Sequence, residues 1–208
     1  MKLHKILYVI LTTVAVGLAA FMPVEDKSAD RLEIGAQAPL TDVEVTDVSG
    51  KVLTLDEVAE KNGLLVNFSC NTCPWVKAWE DRYNPIADLA EENDIGVIAL
   101  NPNAAIRDGG ESMEDMKARA EASGYSFYYA LDEGAKLAEA FGATRTPDIF
   151  LFNGDMELVY TGAIDDDAKS AENVEQHYLK DAINNLVAGN KINPTTTKAL
   201  GCTIKWPK

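Results

Sequence analysis

Apolar and polar positions change their spacing several times along this chain, and each change marks an element. From Thr41 to Leu55 they alternate, with Val43, Val45 and Val48 before Ser49-Gly50-Lys51 and Val52, Leu53 and Leu55 after it, which predicts a β-hairpin. Leu64–Phe68 and Ile95–Leu100 are short unbroken apolar runs, expected as buried strands. Between them, Val76, Trp79, Tyr83, Ile86 and Leu89 recur at helical spacing over Pro74–Glu92, and Pro85 is expected to kink that helix. Met113–Ser123 reads as a helix stopped by Gly124, Phe127–Leu131 as a strand, and Glu133–Phe141 as a short helix ending at Gly142. Ile149–Phe152 and Met156–Tyr160 flank Asn153-Gly154-Asp155, a second hairpin signal. The last helix is expected over Ala171–Ala188, striped by Val174, Tyr178, Ile183, Leu186 and Val187. Strands alternating with helices, then a hairpin and a helix, predict an α/β domain with a central mixed sheet flanked by helices and an N-terminal hairpin.

The two ends depart from this pattern. Lys2 and Lys5 precede an uncharged apolar run from Ile6 to Val24, with small residues at Gly17, Ala19 and Ala20, so residues 1–24 read as a signal peptide or N-terminal membrane anchor. Residues 25–40 read as a polar linker, 41–190 as the domain, and 191–208 as a C-terminal tail packing on it. The leader implies export, to the periplasm if the host is bacterial. The 208 residues are 47% hydrophobic and 25% charged, which suits one domain able to bury a core. A net charge of −14 makes the chain a poor partner for nucleic acid or an anionic membrane, and keeping the protein soluble is its plainest role.

Three cysteines change the picture. The strand Leu64–Phe68 runs into Ser69-Cys70-Asn71-Thr72-Cys73-Pro74, where the next helix opens. A sulfur at a helix N-terminus meets unpaired N–H groups and the positive end of the helix dipole, which favour the thiolate, the reactive form. Cys70 is expected there as the attacking nucleophile, and Cys73 as the thiol that closes the disulfide and releases what Cys70 has bound. Zinc would need four ligands, and only Cys202, His177 and carboxylates remain, none at a suitable spacing. Pro74 stands where attached haem would need a histidine. A bridge across two residues stabilises little by itself. Thiol–disulfide exchange is the chemistry this pattern suits, and it requires no cofactor. Cys202 first reads as a small buried hydrophobe in a tail packed by Ile204 and Trp206, and alternatively as a third redox cysteine returning to the pair. Among the remaining candidates, His177 is read as a surface or capping residue in mid-helix. Asp165-Asp166-Asp167 is read as a solvated acidic loop, Trp79 as core, and Trp75 as a border of the substrate groove.

The chain resembles the thioredoxin superfamily, and within it the peroxiredoxin-related proteins grouped with alkyl hydroperoxide reductases and thiol-specific antioxidants. The resemblance is carried by Val66-Asn67-Phe68-Ser69-Cys70-Asn71-Thr72-Cys73-Pro74, Thr146-Pro147-Asp148-Ile149-Phe150-Leu151-Phe152, Leu158-Val159-Tyr160-Thr161-Gly162, Ile164-Asp165-Asp166 and Gly201-Cys202-Thr203-Ile204-Lys205-Trp206. It implies a thioredoxin-like fold with a cis-proline at Pro147 facing the dithiol, and a Thr146 backbone that pairs with the substrate polypeptide beside Cys70. Arg145 would lie close by, either supporting the Cys70 thiolate or standing as a solvated surface residue. Two departures follow. Asn67 stands where thioredoxins carry a buried Asp, so it cannot serve as a base for Cys73. Gly63 and Asn67 stand where a peroxidatic Cys70 would need Pro and Thr, which disfavours a dedicated peroxidase. The expectation is an exported thiol–disulfide oxidoreductase acting on disulfide or thiol proteins with an unidentified redox partner. The alternatives are an antioxidant peroxidase and a non-catalytic module binding a partner or Cu(I) through the cysteine pair.

Overall fold

A computed structural model describes residues 30–208; the leader at 1–24 and the start of the linker lie outside the described residues. The N-terminal hairpin forms from β1 (Val45–Asp47) and β2 (Val52–Leu53), followed by the one-turn helix α1 (Leu55–Val58). Then come β3 (Gly63–Phe68), α2 (Pro74–Glu91), β4 (Ile95–Asn101), α3 (Met113–Ser123), β5 (Tyr128–Leu131) and α4 (Lys136–Phe141). The chain ends with β6 (Arg145–Thr146), β7 (Asp148–Asn153), β8 (Leu158–Gly162), α5 (Tyr178–Val187) and β9 (Cys202–Thr203).

The strands order as β2-β1-β5-β4 and β3-β7-β8, with a separate pair β6-β9. The two larger sets meet where β3 lies along β4: Asn62 N–H donates to the Asp94 carbonyl at one end and Ser69 N–H to the Leu100 carbonyl at the other, both at 2.8 Å. β4 and β5 are parallel, whereas β3, β7 and β8 pair antiparallel, so the sheet is mixed as expected. β3 is buried at every position because both faces of the sheet are covered. Its alternation splits the core: Leu65 of β3 and Ile149 and Leu151 of β7 face α2 and α5, with Val76, Trp79, Leu179 and Ile183. Leu64, Val66 and Phe68, with Phe150 and Phe152, face α4 and pack on Leu137 and Phe141. Cys70 and Cys73 belong to the first cluster, at the end of β3 where the chain leaves the sheet.

Local signals set the helix ends. Ser112 and Asp115 form a reciprocal capping box at the start of α3, and Gly124 closes that helix in the left-handed region (φ 61°). α2 runs on through Pro85. Two expectations need correction. The last helix begins at Tyr178, not at Ala171: residues 171–173 form a single 3₁₀ turn, Val174 is extended, and the Glu175 N–H is taken by the Asp166 carboxylate. His177 therefore stands exposed at the helix boundary instead of in mid-helix.

Residues 30–40, read as linker, are tied to the domain. Gly35 N–H donates to the Leu158 carbonyl, Leu158 N–H to the Ala36 carbonyl and Ala38 N–H to the Met156 carbonyl, so this stretch lies along the edge of the last hairpin. The polar composition that suggested a linker hides its anchor. Arg31 makes a bidentate bond to Asp148 (2.7 and 2.8 Å) and lies 4.7 Å above the Phe150 ring. Asp148 is fully buried directly after Pro147, and burial raises its pKa despite the arginine. Removing Arg31 leaves that carboxylate buried and unpaired. Arg31→Ala is expected to lower the unfolding free energy by about 3 kcal/mol at neutral pH. A raised carboxyl favours the protonated folded state at acid pH, so the loss should shrink between pH 7 and pH 5. Denaturant titrations of both proteins at the two pH values check this; an equal loss at each would show that the ion pair is not its source.

Candidate active site

The helix α2 begins at Pro74, with Cys73 as its N-cap residue. The sulfur that meets the helix N-terminus is therefore that of Cys73, one turn further on than the sequence suggested for Cys70. Both cysteines are buried and all three in the chain are free thiols. Facing them is Thr146, joined to Pro147 by a cis peptide bond, as the resemblance implied. Thr146 presents a different group to each sulfur: its hydroxyl lies 3.0 Å from Cys70 Sγ, and its carbonyl accepts from Cys73 Sγ at 3.2 Å.

The two sulfurs titrate as one unit, because each is hydrogen-bonded to the other. That bond pulls the Cys73 thiol down to about 5, helped by the Cys202 thiol and the backbone N–H groups of Val76 and Cys202. The same bond, together with burial, pushes the Cys70 thiol well above its ordinary range. The pair thus loses one proton easily and holds the second tightly. When Cys73 keeps the remaining proton, its S–H rests on the Thr146 carbonyl and the Thr146 hydroxyl is free to donate to Cys70. Arg145 plays no part in this: it is exposed and donates to the Gly201 carbonyl at 3.1 Å.

The tail does more than pack. β9 pairs antiparallel with β6, setting Cys202 opposite Thr146 and Thr203 opposite Arg145. Cys202 is half-buried, its side chain packs against the cluster holding Cys70 and Cys73, and burial with the bond to Cys73 raises its thiol to about 11. Ile204 is buried as expected, while Trp206 is exposed. Trp75 is half-buried with its ring 6.2 Å from that of Trp79, which fills the core and donates its indole N–H to Asp165. Asp165 is itself buried and faces the Arg82 guanidinium at 3.3 Å, so the acidic run is anchored at its first residue instead of being wholly solvated. Among the described residues, no group of three or more His, Cys, Asp or Glu is arranged to hold a metal ion.

One residue of the site escaped sequence reasoning altogether. Glu111 is fully buried, forty residues beyond Asn71, and clasps the two residues between the cysteines. Its carboxylate accepts from Asn71 N–H (2.8 Å), Thr72 N–H (2.9 Å), the Thr72 hydroxyl (2.6 Å) and the Asn101 amide (2.7 Å). Asn71 also bonds the Gly110 carbonyl and receives the Tyr129 hydroxyl. Gly110, at φ 97°, leaves only 3.0 Å between an added Cβ and Thr72 Cγ2, so glycine lets the two loops close. Nothing around Glu111 in the sequence resembles a motif; only the fold brings it to the pair. A fixed negative charge here opposes ionisation of Cys70. Glu111→Gln is expected to lower the pH at which the pair's thiolate absorbance rises, and to cost roughly 2 kcal/mol of stability through the donors it orphans. A stability loss with an unmoved midpoint would reduce Glu111 to a structural clasp.

The comparisons agree with this architecture. The chain superposes on an uncharacterised conserved protein from Geobacillus kaustophilus with a TM-score of 0.79, 31% identity, and coverage of 86% of this chain and 94% of that one. A hypothetical protein from Sinorhizobium meliloti 1021 gives 0.78, 30%, 86% and 97%. A putative protein disulfide isomerase from Bacteroides thetaiotaomicron, at 18% identity and a TM-score of 0.56 over 76% of this chain and 91% of that one, shares the fold. No protein of curated function matches. The Redoxin family profile matches residues 33–177, and the chain belongs to that family.

Proposed function

We propose that this protein is a thiol–disulfide oxidoreductase that cycles Cys70 and Cys73 between dithiol and disulfide. The observation that carries the reading is the geometry of the pair: two buried free thiols where β3 gives way to α2, both facing Thr146 of the cis Thr146–Pro147 segment, its hydroxyl 3.0 Å from Cys70 Sγ and its carbonyl 3.2 Å from Cys73 Sγ. A thiolate available at neutral pH is what attack on a disulfide requires. In this reading the Cys70 thiolate attacks one sulfur of the client disulfide, whose S–S bond breaks and whose other sulfur leaves as a thiolate, while Cys73 holds the pair's remaining proton on the Thr146 carbonyl. Cys73 then attacks Cys70 in the mixed disulfide, closing the internal bridge and releasing the client thiol. Trp75 and the backbone of Thr146 border the groove in which the client lies. Clients are disulfide or thiol proteins, and a separate redox partner resets the pair. The leader expected in residues 1–24 supports export, and with it a site of action outside the cytoplasm.

Trapping separates the roles. Cys73→Ser is expected to accumulate a mixed disulfide with a disulfide-bearing peptide on Cys70, seen by mass spectrometry, and Cys70→Ser is expected to accumulate none. Trapping by Cys70→Ser alone would reverse the assignment, and trapping by neither would sink the oxidoreductase reading. With the wild type, the rate of exchange should hold steady near neutral pH and fall about tenfold per unit below pH 5, where the pair's first proton returns. Export predicts a purified N-terminus beginning just after Ala19 or Ala20 if the leader is cleaved, or at Met1 in the membrane fraction if it anchors; an intact N-terminus in the soluble cytoplasmic fraction would contradict it.

A further inference from the structure

The groove described above is already filled. Thr146 is the residue whose backbone the resemblance assigns to client pairing, and in this structure its strand partner is Cys202 of the chain's own tail. The fit is specific. Gly201 lies so close to the cis Thr146–Pro147 peptide that an added Cβ would stand 2.4 Å from the Thr146 carbonyl oxygen and 3.1 Å from Pro147 N. Arg145 holds the Gly201 carbonyl, and Ile204 N–H donates to the Thr144 carbonyl at 3.0 Å. Beyond the strand, Lys205 N–H binds the Asn103 side chain and its carbonyl accepts from Ala105 N–H. A strand added to an exposed edge, with a cysteine set over the redox pair, is the geometry of a bound peptide substrate.

We propose that the tail segment Gly201–Thr203 is a tethered client, and that Cys202 exchanges disulfide with Cys73. The proposal rests on the oxidoreductase reading. In the step it adds, the Cys202 thiolate attacks Cys73 Sγ in the Cys70–Cys73 bridge. The Cys70–Cys73 bond breaks, the Cys73–Cys202 bond forms, and Cys70 leaves as a thiolate that takes up the proton Cys202 gave up. No electrons enter or leave. The oxidising equivalent moves from two buried sulfurs to a bridge that includes the less buried one on the tail. Cys70 is thereby freed, and an external client enters only when the tail strand lifts.

The test uses Cys70→Ser, which leaves Cys73 and Cys202 as the only thiols. In oxidising glutathione buffer, one glutathione disulfide should close a Cys73–Cys202 bridge and leave as two glutathione molecules, with the bridge read as a cross-linked peptide by mass spectrometry. In the wild type both the Cys70–Cys73 and the Cys73–Cys202 linked peptides are expected. Gly201→Val, checked for folding by its thermal melt, should lower the Cys73–Cys202 yield at least tenfold while the Cys70–Cys73 bridge still closes. If Cys70→Ser keeps both thiols free or separately glutathionylated while the wild type closes Cys70–Cys73, the tethered client is overturned and the oxidoreductase reading stands. An unchanged yield in Gly201→Val overturns it as well, since the strand pairing would then not set the exchange. If no bridge forms in any variant, both readings fail together.

Discussion

All three cysteines of this protein converge on Thr146, which meets each of them with a different group. Its hydroxyl lies against Cys70, its carbonyl takes the Cys73 thiol, and its strand partner is Cys202. A sulfur that ionises in a buried site needs donors to replace the water it has lost, and a sulfur that stays protonated needs an acceptor. Thr146 supplies one of each within a single residue, fully buried, at the point where the sheet, the helix α2 and the tail meet. With the pair's remaining proton on Cys73, the carbonyl accepts it and the hydroxyl is left to donate to Cys70. In the proposed exchange, that arrangement suits Cys70 as the first thiolate and Cys73 as the thiol that ionises later.

Charged side chains with their hydrogen-bonding capacity filled surround the site. Behind the cysteine loop, Glu111 gathers four donors, and Arg107 binds the carbonyls of Asn101 and Asp132 together with the Asn101 side chain. On the far side of Pro147, the Arg31–Asp148 pair ties residues 30–40 to the same strand that carries the cis-proline. Asp148 and Glu111 are both fully buried, so removing the groups that bond either one would strand a carboxylate away from water at a high cost. One clamp takes the backbone N–H groups of residues 71 and 72, between the sulfurs; the other takes the side chain of the residue after Pro147.

Much of the architecture was legible along the chain. The unbroken apolar runs at Leu64–Phe68 and Ile95–Leu100, the helical spacing from Val76 to Leu89, and the stop at Gly124 depend on local pattern and local sterics, and they gave the elements nearly to the residue. Where side chains overrode local pattern, the reading slipped. Val174 continues the helical stripe of the last helix backwards, yet the Asp166 carboxylate takes the Glu175 N–H there and the helix starts later. Residues 30–40 look like linker because Asp30, Arg31, Glu33 and Gln37 suit solvent and Gly35 and Pro39 suit a loop; the partner of Arg31 is a buried carboxylate more than a hundred positions away.

By itself, then, the sequence determined the alternation of strands and helices, the seat of the Cys70–Cys73 pair at the end of a buried strand, and the proline opposite it, because these follow from periodicity, turn chemistry and short spacing. Only the tertiary structure decided which sulfur meets the helix N-terminus, that a glutamate forty residues away clasps the loop between the cysteines, and that Cys202 lies over the pair instead of merely filling a tail. Each of those depends on contacts between segments far apart in the chain. A hydrogen bond of that kind leaves no periodic trace in sequence, since it constrains one residue at each end and nothing between.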